Sequence, residues 1–206
     1  TLQDIQQAAE TAGLYFPIDL GSRGSCTIGG NVATNAGGNK VIRYGMTREH
    51  VLGLECALAD GSVLSSMNHL LKNNTGYDLK QLLIGSEGTL GVITAASLRL
   101  FPKPTTEGAA LMVVPDPAAA LALLTLVQAR CGGVSAFELI SGMGLRFLAE
   151  TMPQVRQPFA QVPEWMVLID LGLTEGAPEA VLSDLFEAAL AQGLVTGGVI
   201  AQSTAQ

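Results

Sequence analysis

The sequence predicts an α+β fold in two successive units, and three observations carry that prediction. Residues 21–45 hold seven glycines among few bulky side chains, the composition of a backbone that turns often and lets other groups come close. Pro102 and Pro104 interrupt an extended run and mark a change of composition. Beyond them the hydrophobic periodicity alternates between the strand and helix repeats in the order βαββαβ. With the boundary at about residues 102–108, the domains run over residues 1–106 and 107–206.

Each element has its own signal. Leu2, Ile5, Ala9 and Ala12 recur at helical spacing, and Gly13 follows as a C-terminal cap, which predicts a short amphipathic opening helix. Leu14 to Pro17 is a brief extended segment. Leu54, Cys56 and Leu58 alternate onto one face of a strand, Asp60-Gly61 supplies a tight turn and Ser62 to Ser65 returns, a hairpin. Asp78 is placed to cap a short helix running to Leu83, and Gly85 ends it. A second glycine-punctuated turn, Gly85 to Gly91, then leads into an extended run from Val92 to Leu100. In the second unit, strands are predicted at Ala109–Val114, Val134–Ile140, Trp165–Leu171 and Leu194–Ala201, with helices at Pro117–Arg130 and Pro178–Gln192. An additional helix falls at Gly142–Thr151. This order is that of the split βαβ, ferredoxin-like sheet backed by two helices.

Composition narrows the function classes. Of 206 residues, 48% are hydrophobic and 14% charged, enough apolar side chain to bury a core. Eighteen acidic against eleven basic residues give a net charge of -7 with no Lys/Arg cluster, which excludes nucleic acid as the expected partner. Cys26, Cys56 and Cys131 lie far apart and form neither a disulfide framework nor a zinc spacing, so a reducing cytoplasm is the expected compartment. The longest apolar stretch, Ala118 to Val127, is too short to cross a bilayer and is expected to be a core-facing helix. No signal peptide is visible, but the chain opens at Thr1 inside a helical pattern without an initiator Met, so an upstream targeting segment stays open.

The segment Thr27 to Gly38 is the main candidate site. Paired glycines let backbone N–H groups point together at an anion, and Thr34 and Asn35 add side-chain donors, so a diphosphate is a natural guest. It is not a P-loop, because no Gly-Lys-Ser/Thr follows, and it lacks the glycine spacing of the dinucleotide fingerprint. On composition alone a tight structural turn is the simpler reading. The wider pattern changes that: Asp19-Leu20-Gly21-Ser22, Thr27 to Gly38, Arg43-Tyr44-Gly45, Asn74-Thr75-Gly76-Tyr77-Asp78-Leu79 and Ile84 to Thr94 follow in a set order and spacing.

In that order and spacing the chain resembles the FAD-linked oxidases of the vanillyl-alcohol oxidase type, with a PCMH-type FAD-binding domain. Within them it is similar to the branch of D-lactate, D-2-hydroxyglutarate and glycolate dehydrogenases. The resemblance implies that residues 1–106 are the second half of the FAD-binding domain and 107–206 a ferredoxin-like first part of the substrate-covering cap. It implies that Gly29, Gly30, Thr34, Asn35, Gly37 and Gly38 line the diphosphate and flavin of FAD, and that Glu87, Gly88, Gly91, Val92 and Ile93 complete the cofactor site. Gly88 and Gly91 would then keep side chains out of the cofactor's way, and Val92 and Ile93 would offer a strand edge to it. It also implies a small 2-hydroxy-acid substrate and an electron acceptor, with a homodimer left open. The first FAD subdomain is expected before Thr1. A His-rich motif for a divalent metal, and the general base, are expected beyond Gln206, so no catalytic residue is assigned in this chain. Taken by itself, the chain has an alternative reading as a folded, non-catalytic module that does not hold FAD.

Other residues have plainer expectations. His50 and His69, the two histidines, sit in polar stretches without metal spacing and are expected to be solvated. Cys56 belongs with core leucines, Cys131 with a helix end, and Cys26 is expected to be a small buried residue although it adjoins the flavin segment. Arg43 and Lys72 are candidates to meet a substrate carboxylate. Leu121, Leu124 and Val127 are expected to form the core stripe of the 117–130 helix. A peripheral association with a membrane is left open.

Overall fold

A computed structural model describes residues 1–201 and divides the chain into two units, Thr1–Lys103 and the residues from Pro104 onward. Ten elements make up the first: α1 (Leu2–Thr11), β1 (Leu14–Tyr15), α2 (Ile28–Ala33), α3 (Val41–Tyr44), α4 (Thr47–His50), β2 (Val51–Ala57), β3 (Val63–Ser65), α5 (Lys80–Leu83), β4 (Val92–Leu98) and β5 (Phe101–Pro102). Helix α1 begins with a capping box: the Thr1 hydroxyl accepts from the Asp4 backbone N–H at 3.2 Å and donates to the Asp4 carboxylate at 2.8 Å. Its Leu2 and Ala9 are buried against Phe16 and Ile18, whereas Ala12, expected on the same stripe, is exposed just past the helix end.

An antiparallel sheet of three strands, in the order β3-β2-β4, forms the framework of this unit. The hairpin between β2 and β3 closes as expected around Asp60-Gly61. Leu58 N–H donates to the Ser62 carbonyl at 2.8 Å, and the Asp60 carboxylate accepts from the Ser62 N–H at 2.9 Å and its hydroxyl at 2.6 Å. Leu54 and Cys56 alternate inward onto Val32, Val51, Leu83 and Ile84, with Leu58 half-buried beside them. Strand β4 pairs only with β2, and no strand among the described residues covers its outer edge. A separate two-stranded pair joins β1 to β5.

The second unit contains β6 (Thr106–Val114), α6 (Pro117–Arg130), β7 (Val134–Ser141), α7 (Gly142–Thr151), β8 (Trp165–Leu173), α8 (Pro178–Ala191) and β9 (Gly197–Ile200). Its sheet order is β7-β8-β6-β9 with antiparallel neighbours throughout, so β8 lies between β6 and β7, which α6 connects. Inward residues of the central strands, Met112, Val114, Ile169 and Leu171 among them, pack on Ala120, Leu123 and Val127 of α6 and on Leu182, Leu185 and Ala189 of α8. Asp116 caps α6 by accepting from Ala119 N–H at 2.7 Å, with Pro117 in the first turn.

Four expectations are corrected by this architecture. The core stripe of α6 is Ala120, Leu123 and Val127, and Leu121 is 67% exposed, because the helix is apolar almost all round and the pattern alone does not select a face. Asp78 does not cap α5: Leu79 takes that position without a side-chain bond, and the Asp78 carboxylate instead holds Lys80 Nζ at 2.6 Å and Gln81 Nε2 at 3.1 Å. The glycine-rich segment, expected to turn often, instead contains a helix at Ile28–Ala33. His50 is fully buried, with its ring edge-on to Phe16 at 6.0 Å and to Phe101 at 5.5 Å between centroids. His69 is exposed, with Nδ1 3.3 Å from the Ser97 hydroxyl.

Candidate functional site

The Thr27–Gly38 segment and the Gly85–Ile93 segment come together in one hydrogen-bonded cluster. Thr27 caps α2 through a long bond, 3.4 Å, from Gly30 N–H. The helix packs beside β4, where a Cβ placed on Gly29 would be 3.4 Å from the Ile93 carbonyl oxygen. At its other end, carbonyl groups that have no partner within a helix are taken up by the second turn. Val32 carbonyl accepts from Gly85 N–H at 3.1 Å and Ala33 carbonyl from Glu87 N–H at 2.8 Å.

Two non-glycine residues in this cluster have left-handed backbones, Asn35 at φ 48° and Glu87 at φ 53°. Asn tolerates that region because its short side chain can bond locally, and here Asn35 Oδ1 accepts from the Arg48 backbone N–H at 2.9 Å. Glu87 has no such advantage. It occupies, with Gly88, the centre of a turn closed by Thr89 N–H donating to Ser86 carbonyl at 3.0 Å. Strain of this kind concentrates at functional sites, and it persists only where surrounding bonds enforce it; the Glu87–Ala33 bond does so.

Helix α4 is the strut behind the cluster. Thr47 is buried and gives both its N–H (2.9 Å) and its hydroxyl (2.7 Å) to the Ala36 carbonyl. The Arg48 guanidinium reaches the Ile84 carbonyl at 2.6 Å, the Gln81 carbonyl at 2.9 Å and Gln81 Oε1 at 2.6 Å. His50 anchors the far end among aromatic rings, and neither ring nitrogen makes a hydrogen bond of ordinary geometry. Desolvation therefore holds its imidazole below the usual histidine range, against a smaller upward pull from the Gly45 backbone and the Glu49 charge. Burial likewise pushes the Cys56 thiol up.

This geometry can be matched against known proteins. Residues 1–66 fit the FAD binding domain family. The mitochondrial D-2-hydroxyglutarate dehydrogenase of Bos taurus is 45% identical over 97% of this chain, which corresponds to 37% of that protein. The D-2-hydroxyglutarate dehydrogenase of Xanthomonas citri pv. viticola is 40% identical over 100% of the chain and 43% of its own length. The chain is thus similar to an FAD binding domain over its first 66 residues and to D-2-hydroxyglutarate dehydrogenases over nearly all of its length. It spans about two fifths of the length of these relatives, 37% and 43%. Solved structures share the fold of this chain: an alkyldihydroxyacetonephosphate synthase superposes with a TM-score of 0.74 at 18% identity, covering 99% of this chain and 41% of the other. A VAO-type flavoprotein from Myceliophthora thermophila gives 0.61 at 18% identity, covering 95% and 32%.

FAD, the cofactor implied by the motif order, is the cofactor for which the matched family is described. The residues fit it through backbone more than through side chains. The unpaired edge of β4 at Val92–Ile93, with Val92 68% exposed and Gly29 bare beside it, offers main-chain groups and apolar surface to a flat ring system. The side chains expected to face a diphosphate make internal bonds: the Thr34 hydroxyl donates to Gly30 carbonyl at 2.9 Å, Asn35 Oδ1 accepts from Arg48 N–H at 2.9 Å, and Asn35 Nδ2 lies 4.0 Å from Met46 Sδ. Gly30 of α2 and Thr34 at its C-terminal cap are exposed, and Gly37 and Gly38 follow. At Gly38 a side chain would overlap the Asp19 carbonyl, with φ at 108°. Glycine at position 91 has a cause inside the fold, since a Cβ there would lie 2.5 Å from Cys56 Sγ and 2.7 Å from the Ala57 carbonyl oxygen. Gly88 stands in open space, and its requirement is its φ of 78°.

Arg43 lies over the Tyr44 ring at 5.0 Å, and Lys72 is exposed in the segment between β3 and α5. Cys26 is half-buried, and the other two cysteines are buried thiols. Among the described residues no group of three His, Cys, Asp or Glu is placed to hold a metal ion, and no helix is long and apolar enough to cross a membrane. Arg48 was not a sequence candidate. Its acceptors are backbone carbonyls 33 and 36 residues away, and no local signal marks such a contact.

Proposed function

We propose that the protein carrying this chain is an FAD-dependent dehydrogenase of a small 2-hydroxy acid, with D-2-hydroxyglutarate as the first substrate to test and D-lactate and glycolate as alternatives. The observation that carries this reading is the convergence of the two glycine-rich segments on the open edge of β4, where Gly29 faces Ile93. The 45% identity to a D-2-hydroxyglutarate dehydrogenase ranks that substrate first among the three.

In this reading Gly29, Gly30, Thr34, Asn35, Gly37 and Gly38 form one wall of the cofactor site, and Glu87, Gly88, Gly91, Val92 and Ile93 form its floor. When bound, FAD supplies the hydride acceptor for oxidation of the hydroxyl carbon. The chain's own residues supply shape and exclusion of water: Gly29 and the β4 edge approach the ring system, and the turn at Glu87-Gly88 closes one side. Residues 1–106 are then the second half of the FAD-binding domain, and 107–206 a ferredoxin-like first part of the substrate cap. The electron acceptor is a second partner, and the oligomer to test is a homodimer. The compartment to test is the cytoplasm, with peripheral membrane association as its variant and the mitochondrial names of two relatives as the competing assignment.

Turnover tests the reading. The protein expressed from its complete natural reading frame, loaded with FAD and supplied with an artificial electron acceptor, is expected to oxidise D-2-hydroxyglutarate with a higher kcat/KM than D-lactate or glycolate. Absence of turnover with all three, in a protein that holds FAD, contradicts the substrate class. A second reading, a folded module that by itself holds no FAD, is favoured by the internal engagement of Thr34 and Asn35. Titrating the 206-residue chain with FAD separates the two, because saturable binding excludes the empty module.

A further inference from the structure

We infer that Arg48 is a positioning residue for the cofactor, tying the two glycine-rich segments to one another from behind the site. The inference rests on the flavin reading of those segments and deepens it.

Its basis is the set of groups that Arg48 joins. The backbone N–H is the partner of Asn35 Oδ1, at 2.9 Å, and so holds the left-handed turn that ends the first segment. The guanidinium of the same residue donates to the carbonyls of Gln81 and Ile84 and to Gln81 Oε1, three acceptors at 2.6 to 2.9 Å around the C-terminal end of α5. Gly85 follows directly, and its own N–H goes to Val32 at the end of α2. A Cβ on Gly85 would lie 3.3 Å from the guanidinium and 3.4 Å from Asn35 Cβ, so a side chain there would press on both. The planar, forked donor set of arginine meets several acceptors at once, which the point charge of lysine does not reproduce. Two of the acceptors are carbonyls at a helix end, which carry partial negative charge and gain from a cation.

The consequence is geometric. Without the guanidinium, the end of α5 loses its three bonds to α4, and the turn that follows it keeps the Gly85–Val32 and Glu87–Ala33 bonds to α2. Arg48 does not need to touch FAD for its loss to loosen the site.

Three variants, R48M, R48K and Q81A, test this in the protein expressed from its complete natural reading frame. FAD binding is measured by titration well below each variant's melting temperature, together with the visible spectrum of the flavin at saturation. R48M is expected to weaken FAD binding by about tenfold to a hundredfold, the equivalent of one or two lost charged hydrogen bonds. Its bound flavin is also expected to show a spectrum closer to that of free FAD. R48K is expected to fall between R48M and the parent, and Q81A to lose a few-fold. A merely structural role lowers the melting temperature while leaving affinity and spectrum of the folded fraction unchanged, and that result overturns the inference. If R48M does not fold, R48K and Q81A decide it, since parental affinity and spectrum in both overturns it equally. A parent protein that binds no FAD contradicts the flavin reading itself, and is distinguished from these outcomes by its failure before any variant is made.

Discussion

His50 makes the fold sensitive to mild acid. Its side chain is wholly buried between Phe16 and Phe101, without hydrogen-bonding partners of ordinary geometry, and its folded-state pKa lies below the value of a free histidine. The unfolded chain therefore takes up a proton more readily than the folded one. Above the unfolded pKa of about 6.5 both states are neutral and the histidine carries no penalty. As pH falls through that value, stability declines by up to about 1.4 kcal/mol per pH unit, until the folded pKa is reached or the unit opens. Arg99, whose charge also lowers the pKa, adds to the effect, and Glu49 opposes it. The assay is urea denaturation of the parent and of H50F at pH 7.5, 6.5, 5.5 and 5.0. The Asp and Glu side chains titrate in both proteins and cancel in the difference. The difference in unfolding free energy is expected to shift in favour of H50F below about pH 6.5. Parallel stability profiles over that range would refute the reasoning.

Further predictions follow from the turn and strand geometry. Ala at Gly91 has to displace Cys56 Sγ and the Ala57 carbonyl, so G91A is expected to lose about 1–3 kcal/mol in thermal or urea unfolding. N35A leaves the Arg48 N–H without its acceptor and places an alanine at φ 48°, with an expected loss of about 1–3 kcal/mol. E87N puts a residue tolerant of the left-handed region at φ 53° and is expected to gain about 0.5–1 kcal/mol, visible as a raised melting temperature. D116A removes the cap of α6 and is expected to cost about 1 kcal/mol.

What could be read from the sequence depended on how local the cause was. The hairpin at Asp60-Gly61 and the helices starting at Pro117 and Pro178 announce themselves through turn and capping residues, and the structure forms them there. Leu121 was misassigned to the core because α6 is apolar on nearly every side, so which face is buried is decided by β6, β8 and α8. Helix α2 went unseen because two glycines cost about 1 kcal/mol each relative to alanine in a helix, and packing of Val32 on the sheet core overrides that penalty. The charged neighbours of His50 suggested solvent, yet its burial is created by Phe16 and Phe101, 34 and 51 residues away. In the site, glycine positions were legible while their reasons were not. Gly91 answers to Cys56, and Asn35 to the backbone of Arg48, before either answers to a ligand.

The central claim is that the open edge of β4 beside Gly29 is a flavin site. It is tested most directly by titrating FAD into the protein from its complete natural reading frame and into its G29V variant, whose side chain would fill the space against Ile93. Saturable binding with a perturbed visible flavin spectrum in the parent, lost in a G29V protein that remains folded, is the predicted result. Equal FAD binding by both would contradict the placement of the cofactor at this edge.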